Sequence, residues 1–248
     1  MEFAAPVWIF AGLTFVVAGL TKGVIGMGLP TIAMGLLSLV LAPAQAAAVL
    51  VVPSLVTNVW QLFAGPNPAA LFRRLCSMMA GVVAGTLAGA GILAGDNAGL
   101  AVVALGVALV LYALIGLAGV KLVVAHRHEI WLGPLVGATT GLVTGATGVF
   151  VLPAVPYLQA IGLAKGELVQ ALGLSFTVST LALAAGLLRM EAFSSISAGL
   201  SLLALAPALF GMWLGQGLRQ RLDAATFRRV FFAGLFLLGL YLVLRGIA

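Results

Sequence analysis

Apolar residues run along this chain in long blocks, and the polar residues fall mostly between the blocks. Hydrophobic runs occupy 7–41, 44–65, 76–94, 98–121, 131–161, 168–188, 194–217 and 226–245. Each exceeds the roughly eighteen residues that separate a membrane span from a buried core helix. Charges or turn residues punctuate them at Asn67-Pro68, Arg73-Arg74, Asp96-Asn97, Lys121 to Glu129, Lys165 to Glu167, Arg189 to Glu191 and Arg219 to Arg229. The pattern predicts an all-α, polytopic helical membrane protein. A β-barrel would alternate apolar and polar positions in segments of about ten residues, and no such segments occur.

Two runs are anomalous. The first covers about 52 Å if wholly helical, too long for one crossing of a hydrocarbon core about 30 Å thick and short for two. It contains Gly19-Leu20-Thr21-Lys22-Gly23-Val24-Ile25-Gly26-Met27-Gly28-Leu29-Pro30. The fifth run contains a near copy, Gly141-Leu142-Val143-Thr144-Gly145-Ala146-Thr147-Gly148-Val149-Phe150-Val151-Leu152-Pro153. Each places Gly-x-x-Gly and then proline inside what would otherwise be a span. The expected result is a pair of short helices meeting at the glycines, a broken and re-entrant-like first helix in each of two halves, 1–125 and 126–248, of one membrane domain. Gly/Pro interruptions at matching positions of two halves point to a transporter's binding site. Unwound backbone survives at membrane depth only when buried in protein or lining a cavity.

Loop charge tests the arrangement, because Lys and Arg favour the cytoplasmic side. With the 66–75 loop (Arg73, Arg74) inside, the Asp96 loop is outside and the Lys121/Arg127 loop inside. A single crossing by run five would put Arg219, Arg221, Arg228 and Arg229 outside. A run that enters and returns brings them inside and leaves only the Arg189/Glu191 loop external. The same rule applied to run one gives each half an odd number of passes, so the halves are expected to be inverted repeats with both termini outside. A chain of eight single spans is the rival, at the cost of four external arginines.

Composition narrows the classes further. Of 248 residues, 63% are hydrophobic and 7% charged, with mean hydropathy +1.24. The net charge of +6 sits in short loops and orients spans, so no nucleic-acid partner is expected. Met1-Glu2-Phe3 lacks the basic start of a cleaved signal peptide. A lone cysteine, Cys76, forms no intrachain disulfide and reads as a small packing residue.

Lys22 is the one charge clearly inside a predicted span, so it should face a cavity or a partner. Gly23, Gly26 and Gly28 let the backbone unwind beside it. A helix restarting near Pro30 would aim N–H groups and its positive dipole end inward. Lysine and helix N-terminus together describe an oxyanion site. The competing readings are a snorkelling lysine and glycines used only for helix contact. In the second motif Thr144 answers Lys22. Thr144 and Thr147 either donate to the same ligand or bond to their own helix carbonyls, while Gly145 and Gly148 allow backbone approach. The following runs carry polar stripes at helical spacing: Gln45, Ser54, Thr57, Asn58 and Gln61, then Gln170, Ser175, Thr177, Ser179 and Thr180. They serve either the site or interhelical contact. Glu167 and Glu191 read as surface ion pairs with Lys165 and Arg189, and His126 and His128 as part of a solvated loop. No metal or cofactor is expected. Gly81, Gly85, Gly89, Gly211 and Gly215 read as helix-packing residues.

At the segments 22–30 and 145–153, and in the polar helix from Gln170, the chain resembles the TauE/SafE family, the sulfite exporter group. The resemblance spans nearly the whole length in size and two-half layout. It implies a secondary transporter in a bacterial inner membrane that moves sulfur oxyanions or organosulfonates, in several members outward, by alternating access. The implied partners are the lipid bilayer and a small anionic substrate. Val149-Phe150-Val151 replaces a more glycine-rich family run, and Phe150 would offer an apolar wall to a small carbon skeleton. A small-anion channel and a membrane-embedded enzyme remain alternatives, the latter lacking any nucleophile–base pair within the spans. Proton coupling and homo-oligomerisation stay open.

Overall fold

The computed structural model describes residues 5–95, 98–119, 122–193, 195–219 and 221–247. Met1-Glu2-Phe3, Asp96, Asn97 and Lys121, used in the sequence reading, lie outside them. The described residues form ten helices and no strand: α1 (Ala5–Ile25), α2 (Leu29–Leu37), α3 (Pro43–Phe63), α4 (Pro68–Ala94), α5 (Ala98–Ala118), α6 (His126–Thr147), α7 (Ala154–Ala160), α8 (Lys165–Arg189), α9 (Ser195–Leu218) and α10 (Ala224–Ile247). Seven are long and apolar enough to cross a membrane: α1, α3, α4, α5, α8, α9 and α10. α6, at 22 residues, matches them in length but is diluted by Thr139, Thr140, Thr144, Thr147 and its glycines. The order long, short, long, long, long occurs twice.

Runs one and five do break at their glycines, but unequally. α1 has 21 residues, about 31 Å of helix and a full span length, whereas α2 has nine. The expected pair of short helices is therefore one long and one short. The physical reason is where the backbone first leaves the helix. Gly26 N still donates to Lys22 O at 2.8 Å, the chain leaves the helix at Gly26 itself (φ 78°), and it turns again at Gly28, whose φ of 104° favours glycine over L side chains. Leu29 and Pro30 then form the first turn of α2, where proline's missing N–H costs nothing. In the second half Gly148, φ 71°, caps α6 and donates to Thr144 O. Five non-helical residues, 149–153, with a cis Leu152–Pro153 bond, precede α7.

Three other sequence expectations are corrected. Arg73 and Arg74 lie in α4, not in a loop, because the helix begins at Pro68. His126 and Glu129 belong to the first turn of α6. Cys76, read as a packing residue, is exposed. Gln45 and Glu167 cap α3 and α8 by accepting from Ala42 N (3.3 Å) and Ala164 N (3.0 Å). Asp223 starts α10 by accepting from Ala225 N, Thr226 N and the Thr226 hydroxyl, which hold its carboxyl below the usual carboxylate range.

Glycine ladders set the helix pairing. A Cβ on Gly137, Gly141 or Gly145 of α6 would lie 2.0–2.4 Å from the carbonyl oxygens of Met78, Val82 and Thr86 on α4. Residue numbers rise together, so α4 and α6 run parallel in backbone contact. α1 and α9 repeat this, Gly19 against Ala208 O and Gly23 against Met212 O, answered by Gly211 on Val16 O and Gly215 on Leu20 O. The packing role expected for Gly81, Gly85, Gly89, Gly211 and Gly215 matches these contacts. α5 and α10 meet with opposite register, Gly106 on Gly239, Gly116 on Phe232 and Gly246 on Val103, and so run antiparallel. Short connectors reverse the chain between spans. Helices α1, α3, α5 and α9 therefore run one way and α4, α6, α8 and α10 the other. The short helices and the non-helical segment before α7 are the best-buried parts: Leu29, Met34, Leu37, Val149, Phe150, Ala154 and Leu158 have at most 1% exposure. Trp60, Leu203, Trp213 and Leu237 stand more than 60% exposed on the outer, lipid-facing surface.

Candidate functional site

Lys22 lies in the last turn of α1 and is 4% exposed. It does not snorkel: Nζ turns into α3, donating to Thr57 Oγ1 at 3.1 Å and to Asn58 Oδ1. Both partners are fully buried. The Thr57 hydroxyl donates in turn to Pro53 O at 2.7 Å, which leaves its lone pairs for Lys22. Lysine has only donors, so Asn58 must present its oxygen to it and turn its amide nitrogen elsewhere. That Nδ2 is buried with no hydrogen-bond partner. Gln61, one turn on, donates to Gly26 O (3.0 Å) and to Val169 O (2.9 Å), binding the break to α3 and α8.

The chemistry here is that of donors without a counter-charge. Among the described residues the ion pairs centre on Glu129, and no carboxylate meets Lys22. Thr57 and Asn58 take two of its three N–H donors. Beside it Gly26 has nothing within 4 Å of a built Cβ, and residues 25–27 are only partly buried. In the first turn of α2, Pro30 has no N–H and Ile32 N donates to Gly28 O at 2.9 Å, which leaves the N–H groups of Leu29 and Thr31 without a partner in their own helix.

The second motif is arranged differently. Thr144 Oγ1 donates to Thr140 O (2.7 Å) and Thr147 Oγ1 to Val143 O (2.6 Å), so both hydroxyl protons return to their own helix. Thr177 and Thr180 do the same with Gly173 O and Phe176 O. Ser175 and Ser179, one turn apart on α8, keep buried hydroxyls without a partner, as does Ser54 on α3. The shift along the chain that carries Lys22 onto Thr144 carries Thr57 onto Ser179 and Asn58 onto Thr180. Gly148 is occupied from outside its helix: a Cβ there would lie 2.8 Å from the Met34 thioether of α2. Phe150 and Phe176 close the same region edge to face at 5.8 Å.

Of the sequence-proposed residues, the structure thus gathers Lys22, Gly26, Thr57 and Asn58, with Gln61, at one point. Gly23 and Gly145 have their open sides filled by α9 and α4, and Gly28 lies against Thr21 and Phe231. Thr144, Thr147, Ser175, Thr177 and Gly148 form no hydrogen bond to the Lys22 group. Sequence reasoning missed Glu129, which is 8% exposed and grips Arg74 through both oxygens at 2.7 and 2.9 Å. The available signal was a carboxylate two residues before an apolar run, where the first turn of a helix would fall. His126 Nδ1 lies 2.9 Å from the same carboxylate, within a surface cleft of about 310 Å³ that also includes Arg73 and Arg127. Among the described residues no three metal-ligating side chains converge.

A family model described as "Sulfite exporter TauE/SafE" matches residues 11–242. No curated protein and no solved structure matches the chain.

Proposed function

Because the chain belongs to the TauE/SafE sulfite exporter family, a family of membrane transporters and not of enzymes, we propose that it is a secondary transporter for a small sulfur oxyanion or organosulfonate. In this reading it works by alternating access, exports its substrate across a bacterial inner membrane, and uses Lys22 as the counter-charge for the anion. The observation that carries the reading is a buried lysine held by Thr57 and Asn58, two neutral groups. An ammonium away from water costs several kcal/mol by order of magnitude unless a charge balances it. A bound oxyanion supplies that charge and accepts from the third lysine N–H and from the Asn58 amide. Oxyanions have several acceptor oxygens, which suits this cluster of converging donors.

Helix directions support the alternating-access part. α5 and α10, which occupy the same place in 1–125 and 126–248, run antiparallel, as inverted halves require. The parallel pairs α1–α9 and α4–α6 exchange when the halves are exchanged. The burial of Lys22, Thr57 and Asn58 supports a carrier with an occluded state over an open anion channel.

The test is counterflow in proteoliposomes with labelled sulfite, sulfate, organosulfonates and small carboxylates, wild type beside Lys22→Met. Saturable exchange of one anion class, lost in Lys22→Met, is the expected result. Exchange indifferent to Lys22, or conductance without counterflow, would overturn the reading.

A further inference from the structure

The two broken segments are each fastened at their far end by an arginine, and the fastenings correspond. Arg245 Nη1 on α10 donates to Leu39 O at 2.8 Å and to Ser38 O at 3.4 Å, just past the end of α2. Arg74 Nη2 on α4 donates to Ile161 O at 2.9 Å, just past the end of α7. The shift that carries Lys22 onto Thr144 carries Leu39 onto Ile161, so the same carbonyl is bound in both halves. Carbonyls at a helix C-terminus lack an intrahelical N–H and carry the negative end of the dipole, which makes a guanidinium a favourable partner.

Three features separate this from ordinary surface bonding. Each arginine comes from the opposite half of the chain, so each fastening ties one half to the other. The two arginines do not occupy corresponding positions, so unrelated residues serve the same acceptor. The fastenings also lie at opposite ends of the bundle, because α1 and α6 run in opposite directions and each short helix returns towards the end where its long helix began. α2 begins at the break beside Lys22, and its Met34 rests on Gly148 of the other break. A displacement of either short helix therefore reaches the site.

We propose that Arg245 and Arg74 are positioning residues that latch α2 and α7 shut at opposite ends of the transporter, and that release of one latch at a time opens the site to one side. The proposal rests on the transporter reading above. The latches are unequal. Arg74 is gripped by both oxygens of Glu129, while Arg245 is exposed and is held by backbone carbonyls. The Arg245 end is the easier to open.

The experiment uses full-length protein in proteoliposomes, with Cys76→Ser to remove the exposed native thiol. Single cysteines replace Ser38 or Ile161, which are 3% and 4% exposed beneath the two latches, and are labelled with a membrane-impermeant maleimide. Arg245→Gln is expected to speed labelling of Ser38→Cys about tenfold, the factor for one lost charge-assisted hydrogen bond, and to leave Ile161→Cys unchanged or slower. Arg74→Gln paired with Glu129→Gln, which leaves no buried carboxylate stranded, is expected to do the reverse. Arg245→Lys is expected to restore most of the protection at Ser38→Cys. A purely structural role would speed labelling at both positions in either variant, and that result, or no change at either, would overturn the proposal. Labelling needs no substrate, so failure of the Lys22 reading would appear in counterflow while leaving this result intact.

Discussion

The break after α1 and the break after α6 share a sequence pattern and a packing scheme, yet they differ in chemistry. Both end a long helix at a left-handed glycine, both continue into a short buried helix, and both long helices lie in backbone contact with a partner from the other half. At the first, a buried amine is held by neutral side chains and the space beside Gly26 is open. At the second, Thr144 and Thr147 are satisfied within their own helix, and Met34 and Phe150 fill the region. The difference teaches that the two segments share a break of similar build, while the buried charge belongs to one of them.

The sharpest way to break this comparison is to remove the charge. Lys22→Met should reduce anion exchange by about 10- to 100-fold, the loss expected for a charge-assisted hydrogen bond. The same variant should unfold no more easily than wild type in detergent, since an apolar replacement relieves a buried ammonium. Transport lost together with stability would instead mark Lys22 as structural. Next in size is the neutral shell. Asn58→Leu removes one of the two partners of Lys22 and the free amide donor together, and should cost about tenfold in exchange. Thr144→Val, at the matching position of the other break, should change exchange less than about threefold, because its hydroxyl already serves Thr140 O. Equal effects would erase the asymmetry.

Packing should show the opposite symmetry. Gly23→Ala and Gly145→Ala place a Cβ 2.3 and 2.4 Å from the carbonyls of Met212 and Thr86, and each should destabilise by about 1–3 kcal/mol of overpacking. Thermal unfolding of the two variants should agree closely. The smallest effect is expected at Ser179, whose buried hydroxyl has no partner. Ser179→Ala should leave unfolding unchanged or slightly delayed, by up to about 1 kcal/mol, and a large fall in exchange would place α8 in the binding site.

The sequence exposed the parts of this account that depend on local rules. Gly28 and Pro30 mark a break because left-handed backbone and a missing N–H act within one turn. Thr57, Asn58 and Gln61 could be placed on one face by helical spacing alone. The length of α1 was less visible, because it depends on whether the Gly26 N–H keeps its bond to Lys22 O. The roles of Thr144 and Thr147 depend on a rotamer choice between own-helix carbonyl and ligand, which no spacing specifies. The latches were hidden for another reason: Arg74 and Glu129 lie 55 positions apart and Arg245 and Leu39 206, so only the folded chain brings them together.

The most direct test of the central claim is equilibrium binding of the exchanged anion to purified wild type and Lys22→Met, measured by titration calorimetry in detergent. The account predicts saturable binding to wild type and at least about tenfold weaker binding to Lys22→Met. Equal affinities in the two proteins would contradict it, and would leave the first break without a site.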